Sequence, residues 1–282
     1  RISIQTLHRV NGNVGYGIGN IDFNGSVYVR GDVENGFTVK AAGDVIVTGN
    51  IDGGLVYADG NITINGGIVG QDKSIIKCLG DLAARYIDHA QVDVGGDIKV
   101  RDTILHSQVN TGRKIVLGGR KGIIMGGIVR AEDEIDAQII GSRMGTITEI
   151  EVGTNPAYKQ ELNKIEKRLS EMEKEEEKIE KALAILNREG YELTPEREEL
   201  RARLTRTGFV LKGEKRKLEN RRDELNKEIE ERGADKGRVK VRQTIYPGVR
   251  VTIGKAIRIF HDEVHFAVLA YNEGEVEIQA YR

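Results

Sequence analysis

The sequence predicts a mainly β chain with an α insertion: a parallel β-solenoid interrupted by a long antiparallel coiled-coil hairpin. Three observations carry that prediction. Short strands opened by Gly-Asp or Gly-Asn recur at intervals of 16 to 20 residues. Glycine is dense in one part of the chain and sparse in the next, with 26 between Asn11 and Ile150 and three between Pro156 and Arg232. In that glycine-poor stretch, 20 acidic and 20 basic residues surround apolar positions spaced by four and three.

The strand starts align as Gly25-Ser26-Val27, Gly43-Asp44-Val45, Gly60-Asn61-Ile62, Gly80-Asp81-Leu82, Gly96-Asp97-Ile98 and Gly112-Arg113-Lys114-Ile115. A period of this size signals a repeat architecture. The leucine-rich pattern is absent, and a propeller blade needs about 40 residues or more. A parallel solenoid fits, because alternation buries Val45 and Val47, or Ile62 and Ile64, against the rungs above and below. Glycine turns the corners by tolerating positive φ, and the following Asp or Asn holds the corner by bonding nearby backbone. About seven rungs, ~4.8 Å apart, would make a stack roughly 35 Å tall.

The charged segment reads as two helices. Tyr158, Leu162, Ile165, Leu169, Met172, Glu176, Ile179, Leu183 and Leu186 form one a/d seam. Gly190 is a natural helix stop, and Thr194-Pro195 supplies a cap and a first-turn proline. A second seam follows through Arg197, Leu200, Leu204, Thr207, Leu211, Glu214, Leu218, Arg221 and Leu225. Folding back near residues 191 and 192 pairs positions whose numbers sum to about 383. Leu183 then meets Leu200, Ile179 meets Leu204, Met172 meets Leu211, Ile165 meets Leu218, and Tyr158 meets Leu225. Glu176 and Thr207 fall in one polar layer, which would set the register. Each helix would run roughly 50 Å at ~1.5 Å per residue. The β pattern then returns in Val239–Arg242, Val249–Ile253, Val264–Val268 and Val276–Ile278. The division expected is solenoid over 1–153, hairpin over 154–234, and strands over 235–282 that rejoin or cap the solenoid, since a bare last rung is an unpaired edge.

Composition narrows the function. A net charge of -1 gives no bulk field for nucleic acid or an anionic membrane. The single cysteine, Cys78, excludes an intrachain disulfide and a multi-cysteine metal site. No apolar run is long enough to span a membrane, and no signal peptide is seen. The chain opens on Arg1 rather than Met, so a fragment lacking an N-terminal portion is expected. Gly12–Gly19 is glycine-rich, but no helix follows it, and it reads as a turn-rich lead-in. Gly248–Ala256 misses the phosphate-loop spacing by one residue and has Ala256 where a hydroxyl is required. Of the histidines, Asp88-His89 and His106-Ser107 stand out, and His106 is a candidate base for acyl transfer by analogy with left-handed solenoids. The strict six-residue repeat of those enzymes is absent, so a hydrogen-bonding corner residue is the plainer reading. A sugar-cleaving β-helix needs paired carboxylates and aromatic platforms, and aromatics are only 5% of this chain, with no Trp. The basic run Lys212, Lys215, Arg216, Lys217, Arg221 and Arg222 reads as pairing across the hairpin with Glu161, Glu166, Glu171 and Glu173.

Three stretches, GNIDFNGSVYVRGDVENG (19–36), LHSQVNTGRKIVLGGRKGIIMGGIVRA (105–131) and IGSRMGTITEIEVGTNP (140–156), precede the coiled coil, and YPGVRVTIG (246–254) follows it. In this order they resemble the flagellar assembly protein A family. The resemblance implies a right-handed β-solenoid in the bacterial cytoplasm, placed at the cell pole in some members. It brings no catalytic, cofactor-binding or metal-ligating residues. Gly126, Gly127, Gly141, Ser142, Gly145, Thr146, Pro247 and Gly248 are the motif positions, read as tight structural corners. A more distant resemblance is to bactofilins, solenoids that polymerise end to end. The function expected is a non-enzymatic scaffold with a projecting coiled coil that binds protein partners. A bactofilin-like self-assembling solenoid and a carbohydrate-active or acyl-transfer β-helix are the alternatives. A homo-oligomer through the same seam stays open. Cofactors, nucleic acid and membrane insertion are not expected.

Overall fold

A strand of three or four residues with alternating apolar side chains can bury one face only, and buries it best by stacking on copies of itself. The computed structural model, which describes residues 6–187, 194–232 and 236–281, shows this stacking on three faces. On the first face the strands Leu7–Val10, Ser26–Val29, Val45–Val47 and Ile62–Ile64 pair in parallel, each with the next. The opening parts of Leu82–Asp88 and Ile98–Thr111 continue the face, then Lys114–Leu117 and the start of Glu134–Ile140. The inward column is Val27, Val45, Ile62, Leu82, Ile98, Ile115, Ile135 and Val239, all fully buried.

The second face carries Val14, Val33, Ile51, Ile68, Ile87, Ile104, Ile124, Ile140 and Ile245 in one buried column. The third carries Ile21, Val39, Val56, Ile76, Val92, Val109, Val129, Ile150 and Val251. The second and third columns hold nine positions and the first holds eight, because exposed His8 stands below Val27; the stack makes about eight turns, one more than the seven rungs expected. The first rung lacks the Gly-Asx opening, and the last is reached only after the helical insertion. The strand-start alignment also slips at Gly112: Ile98 pairs with Ile115, so Arg113 rather than Gly112 stands opposite Gly96.

The Asp and Asn that follow the glycines do more than hold their own corner. Each accepts from the backbone amide one rung further on. Ser26 Oγ takes the amide of Asp44 (3.0 Å), Asp44 Oδ1 that of Asn61 (2.7 Å), Asn61 Oδ1 that of Asp81 (2.8 Å) and Asp81 Oδ1 that of Asp97 (2.8 Å). A second ladder at the next corner runs from Asn13 through Asp32 (3.0 Å) and Asn50 (2.6 Å) to Gly67 (2.9 Å). The glycine before each Asx is required by that closeness. A Cβ on Gly60 would crowd Asp44 Oδ1 and lie 2.9 Å from the Gly43 carbonyl carbon. The first ladder ends at Asp97, whose Oδ1 has Arg113 Nε 3.7 Å away and no hydrogen-bond partner. Asn61→Ala removes one acceptor at an exposed corner where water can replace it, so a loss of about 1 kcal/mol is expected in urea unfolding. A loss indistinguishable from zero would make the ladder incidental to stability.

The chain forms two compact units, residues 1–156 with 233–282, and residues 157–232. In the first, Arg238–Ile245 and Val249–Ile253 complete the last rung in parallel with Glu134–Ile140 and Thr148–Val152. Ala256–Ile259 and Val264–Asn272 then add antiparallel to that rung, and Glu275–Ala280 pairs with Val264–Asn272. They occupy the backbone groups that the last rung would otherwise expose.

The second unit contains nearly all of two helices, α1 (Pro156–Leu186) and α2 (Pro195–Arg232). Both open on proline, whose missing N–H costs nothing at that position. The Thr194 carbonyl accepts from the amides of Arg197 and Glu198. The Gly190 stop and the fold-back point lie outside the described residues. Ion pairs between the helices run in opposite directions: Glu161 with Arg221 (2.9 Å), Arg168 with Glu214 (3.9 Å), and Glu176 with Lys212 (3.6 Å). The helices are therefore antiparallel.

Candidate functional site

Two candidate surfaces follow from the motif residues and from the helices. The motif residues gather at the corner between the second and third faces. There His89, His106 and Gly126 occupy the same place on successive rungs, with φ of 46°, 43° and 72°. Histidine is among the few side chains that enter the left-handed region readily. The two rings lie 5.0 Å apart, and His89 Nδ1 is 2.7 Å from Asp88 Oδ1. His106 lies over Gly126, where a Cβ would meet its ring, so the ring is a spacer in a corner stack. The carboxylate stands at His89 and not at His106, the proposed base.

Directly after these corners comes a column of small residues: Ser74, Ala90, Ser107, Gly127 and Thr148. Only Gly127 among them is a motif position, yet the Ser107 and Thr148 hydroxyls tie rungs together. Buried Ser107 Oγ accepts from the Ala90 amide at 3.1 Å and donates to the Leu105 carbonyl at 2.6 Å. Thr148 Oγ1 accepts from the Gly126 amide at 2.9 Å and donates to the Thr146 carbonyl at 3.0 Å. The available signal was a small residue two places before each inward apolar one, as in Ser107-Gln108-Val109 and Thr148-Glu149-Ile150.

The remaining motif residues form the next layer. Ser142 Oγ and Thr146 Oγ1 are 2.8 Å apart, and the Gly145 amide donates to the Ser142 carbonyl at 3.0 Å. Pro247-Gly248 makes the turn beneath them, and a Cβ on Gly248 would come within 2.8 Å of the Gly145 carbonyl oxygen. A Cβ on Gly141 would lie 2.6 Å from Val249 Cγ2. The structure thus brings Gly141, Ser142, Gly145, Thr146, Pro247 and Gly248 together, and Thr148 joins them to Gly126 and Gly127. On the outside of this loop Met144 is 96% exposed and Arg143 Nε donates to Tyr246 Oη at 3.3 Å.

The hairpin seam is well buried over part of its length. Ile165, Leu169, Met172, Leu211 and Leu225 are buried, with Tyr158, Leu162 and Leu218 packed on this core. Toward the helix ends that flank residues 188–193 it opens: Ile179, Leu183 and Leu204 are half-buried, and Leu200 is 46% exposed. The expected Glu176–Thr207 layer does not form. Exposed Thr207 turns its hydroxyl back to the Arg203 carbonyl at 2.9 Å, the usual helical alternative for threonine. Glu176 takes Lys215 and Lys212 (3.6 Å) instead, because a half-buried carboxylate is stabilised more by a cation than by a hydroxyl. The Lys215 hydrogen bond, opposed by some desolvation, holds the Glu176 carboxyl below the usual range, and it raises Lys215. A lowered carboxyl pKa contributes stability that is present above the unfolded-state value and lost as pH falls through the folded one. Hairpin helicity, followed by circular dichroism at 222 nm, should therefore decline on acidification below the ordinary glutamate range. Glu176→Gln should remove part of that decline, and an identical profile in the variant would show that other carboxylates carry it.

Reaction chemistry finds little support in these surfaces. Cys78 is buried, and burial pushes its thiol up to about 12, far from a nucleophilic thiolate. Among the described residues, no three His, Cys, Asp or Glu side chains are grouped to hold a metal ion. A cavity of about 540 Å³ near Arg258, Asn272, Glu273 and Glu277 contains no histidine or cysteine. No described helix is long and apolar enough to cross a membrane.

No curated protein and no solved structure gives a significant match to the chain. The family model described as the flagellar assembly protein A β-solenoid domain matches residues 6–276. That span takes in all three strand columns, the corner with its motif loop and both helices, so this chain belongs to the flagellar assembly protein A family.

Proposed function

We propose that this protein is a non-enzymatic scaffold in bacterial flagellar assembly, whose rigid solenoid carries a coiled-coil hairpin that engages a protein partner in the cytoplasm, at the cell pole. One observation carries the reading. The three strand columns continue across the inserted helices without a missing rung: Ile135 pairs with Val239, Ile140 with Ile245 and Ile150 with Val251. The β unit gains no rung from the hairpin, so the hairpin serves something other than solenoid closure. Recognition by a charged two-helix element fits that role. Filament formation by end-to-end stacking is disfavoured by the antiparallel strands on the last rung.

The test replaces residues 157–232 with a short Gly-Ser linker and compares capture from a flagellated bacterial lysate with that by the full chain. The variant should keep its β circular dichroism signal and lose a partner that the full chain retains. Equal capture by both would move recognition to the solenoid, and a variant that no longer folds would overturn the independence of the β unit.

A further inference from the structure

The basic run on α2 does not act as one group. Lys212 and Lys215 turn inward to Glu176, and Arg221 to Glu161. Arg216 and Lys217 make no ion pair or hydrogen bond among the described residues, and neither does Arg206. At 100° per residue, Arg206 and Arg216 lie on the side of α2 away from the seam, and Lys217 flanks the seam. Between Arg206 and Arg216 stands Phe209, 80% exposed. Ala202 and Gly213 complete the line, and a Cβ on Gly213 would meet nothing within 4 Å. Ala202, Arg206, Phe209, Gly213 and Arg216 step by four, three, four and three, the spacing with which one helix meets another. The strip is roughly 22 Å long and carries no carboxylate.

We infer that this outer strip of α2 docks an acidic amphipathic helix of a partner protein, with Phe209 as the apolar anchor and Arg206 and Arg216 pairing with its carboxylates. Aromatic and arginine side chains dominate binding energy at such contacts, and small residues let the partner backbone approach. A second copy of the hairpin is a poor occupant, because the outer side of α1 presents exposed Lys167, Lys174 and Lys178. The inference rests on the scaffold reading, but it is tested separately.

The experiment uses the full chain and fluorescence anisotropy. The probes are a labelled synthetic helix with a Glu polar face and a Leu stripe, its Lys counterpart, and a short DNA duplex. The acidic helix should bind, more weakly as salt rises, and the Lys helix should not. Phe209→Ala, and Arg206→Glu with Arg216→Glu, should each weaken binding by roughly tenfold or more. Lys174→Glu with Lys178→Glu on α1 should leave it unchanged. Circular dichroism verifies that each exposed-site variant keeps its helices. No binding of the acidic helix, equal binding by the strip variants, or tighter binding of DNA would overturn the proposal. Lysate capture that survives deletion of 157–232 would instead overturn the scaffold reading and leave the peptide result standing.

Discussion

Replacing Gly127 with valine is expected to destabilise the solenoid by roughly 3–5 kcal/mol, from backbone strain and overpacking together. Gly127 has φ of 75°, a region that a β-branched residue enters only at a cost. Its missing Cβ is equally decisive: an added one would lie 2.6 Å from the Ser107 amide nitrogen and closer still to the Ser107 carbonyl oxygen. These are backbone atoms of the adjacent rung, held by ladder hydrogen bonds on both sides, so they cannot swing away as a side chain would. Gly145→Val is the matched control. It has φ of 70° but nothing within 4 Å of its added Cβ, so strain alone should cost roughly 1–2 kcal/mol. Urea unfolding followed by circular dichroism separates the two. Equal midpoints would show that the close approach contributes nothing.

Ile104→Ala should lower stability by about 2–5 kcal/mol. Ile104 is fully buried at the middle of the second column, between Ile87 and Ile124. The rungs above and below fix its space, so the cavity cannot collapse by local movement, and the loss should fall in the upper part of that range. Because each rung contacts only its neighbours, hydrogen exchange should show protection lost first in the strands on either side. A change below about 1 kcal/mol would mean that the stack can close over a missing side chain.

The strands were legible because a two-residue alternation and a repeated Gly-Asx opening are local signals. The target of the Asx side chains was not. Asn61 is 20 residues from the Asp81 amide it accepts, and only stacking brings them together. The same separation hid Ser107 and Thr148, whose hydroxyls read as ordinary polar residues until the corners were superposed. Motif residues such as Gly141 and Gly248 were legible as turns, but their shared layer depends on a contact across the whole helical insertion. In the hairpin, the four-three spacing marked the seam. It did not show that Glu176 would choose Lys215 and Lys212 over Thr207, since side-chain reach and charge decide that choice.

By itself, the sequence determined which residues turn inward, where the corners fall and where helices replace strands. These follow from periodicity and from the backbone freedom of glycine, both properties of neighbouring residues. Only the tertiary structure decided the number of rungs, the direction of the corner ladders, which strands cover the last rung and which α2 cations remain unpaired. Each of these depends on groups far apart in the chain that come within hydrogen-bonding or ion-pairing distance only once the rungs stack and the helices fold back.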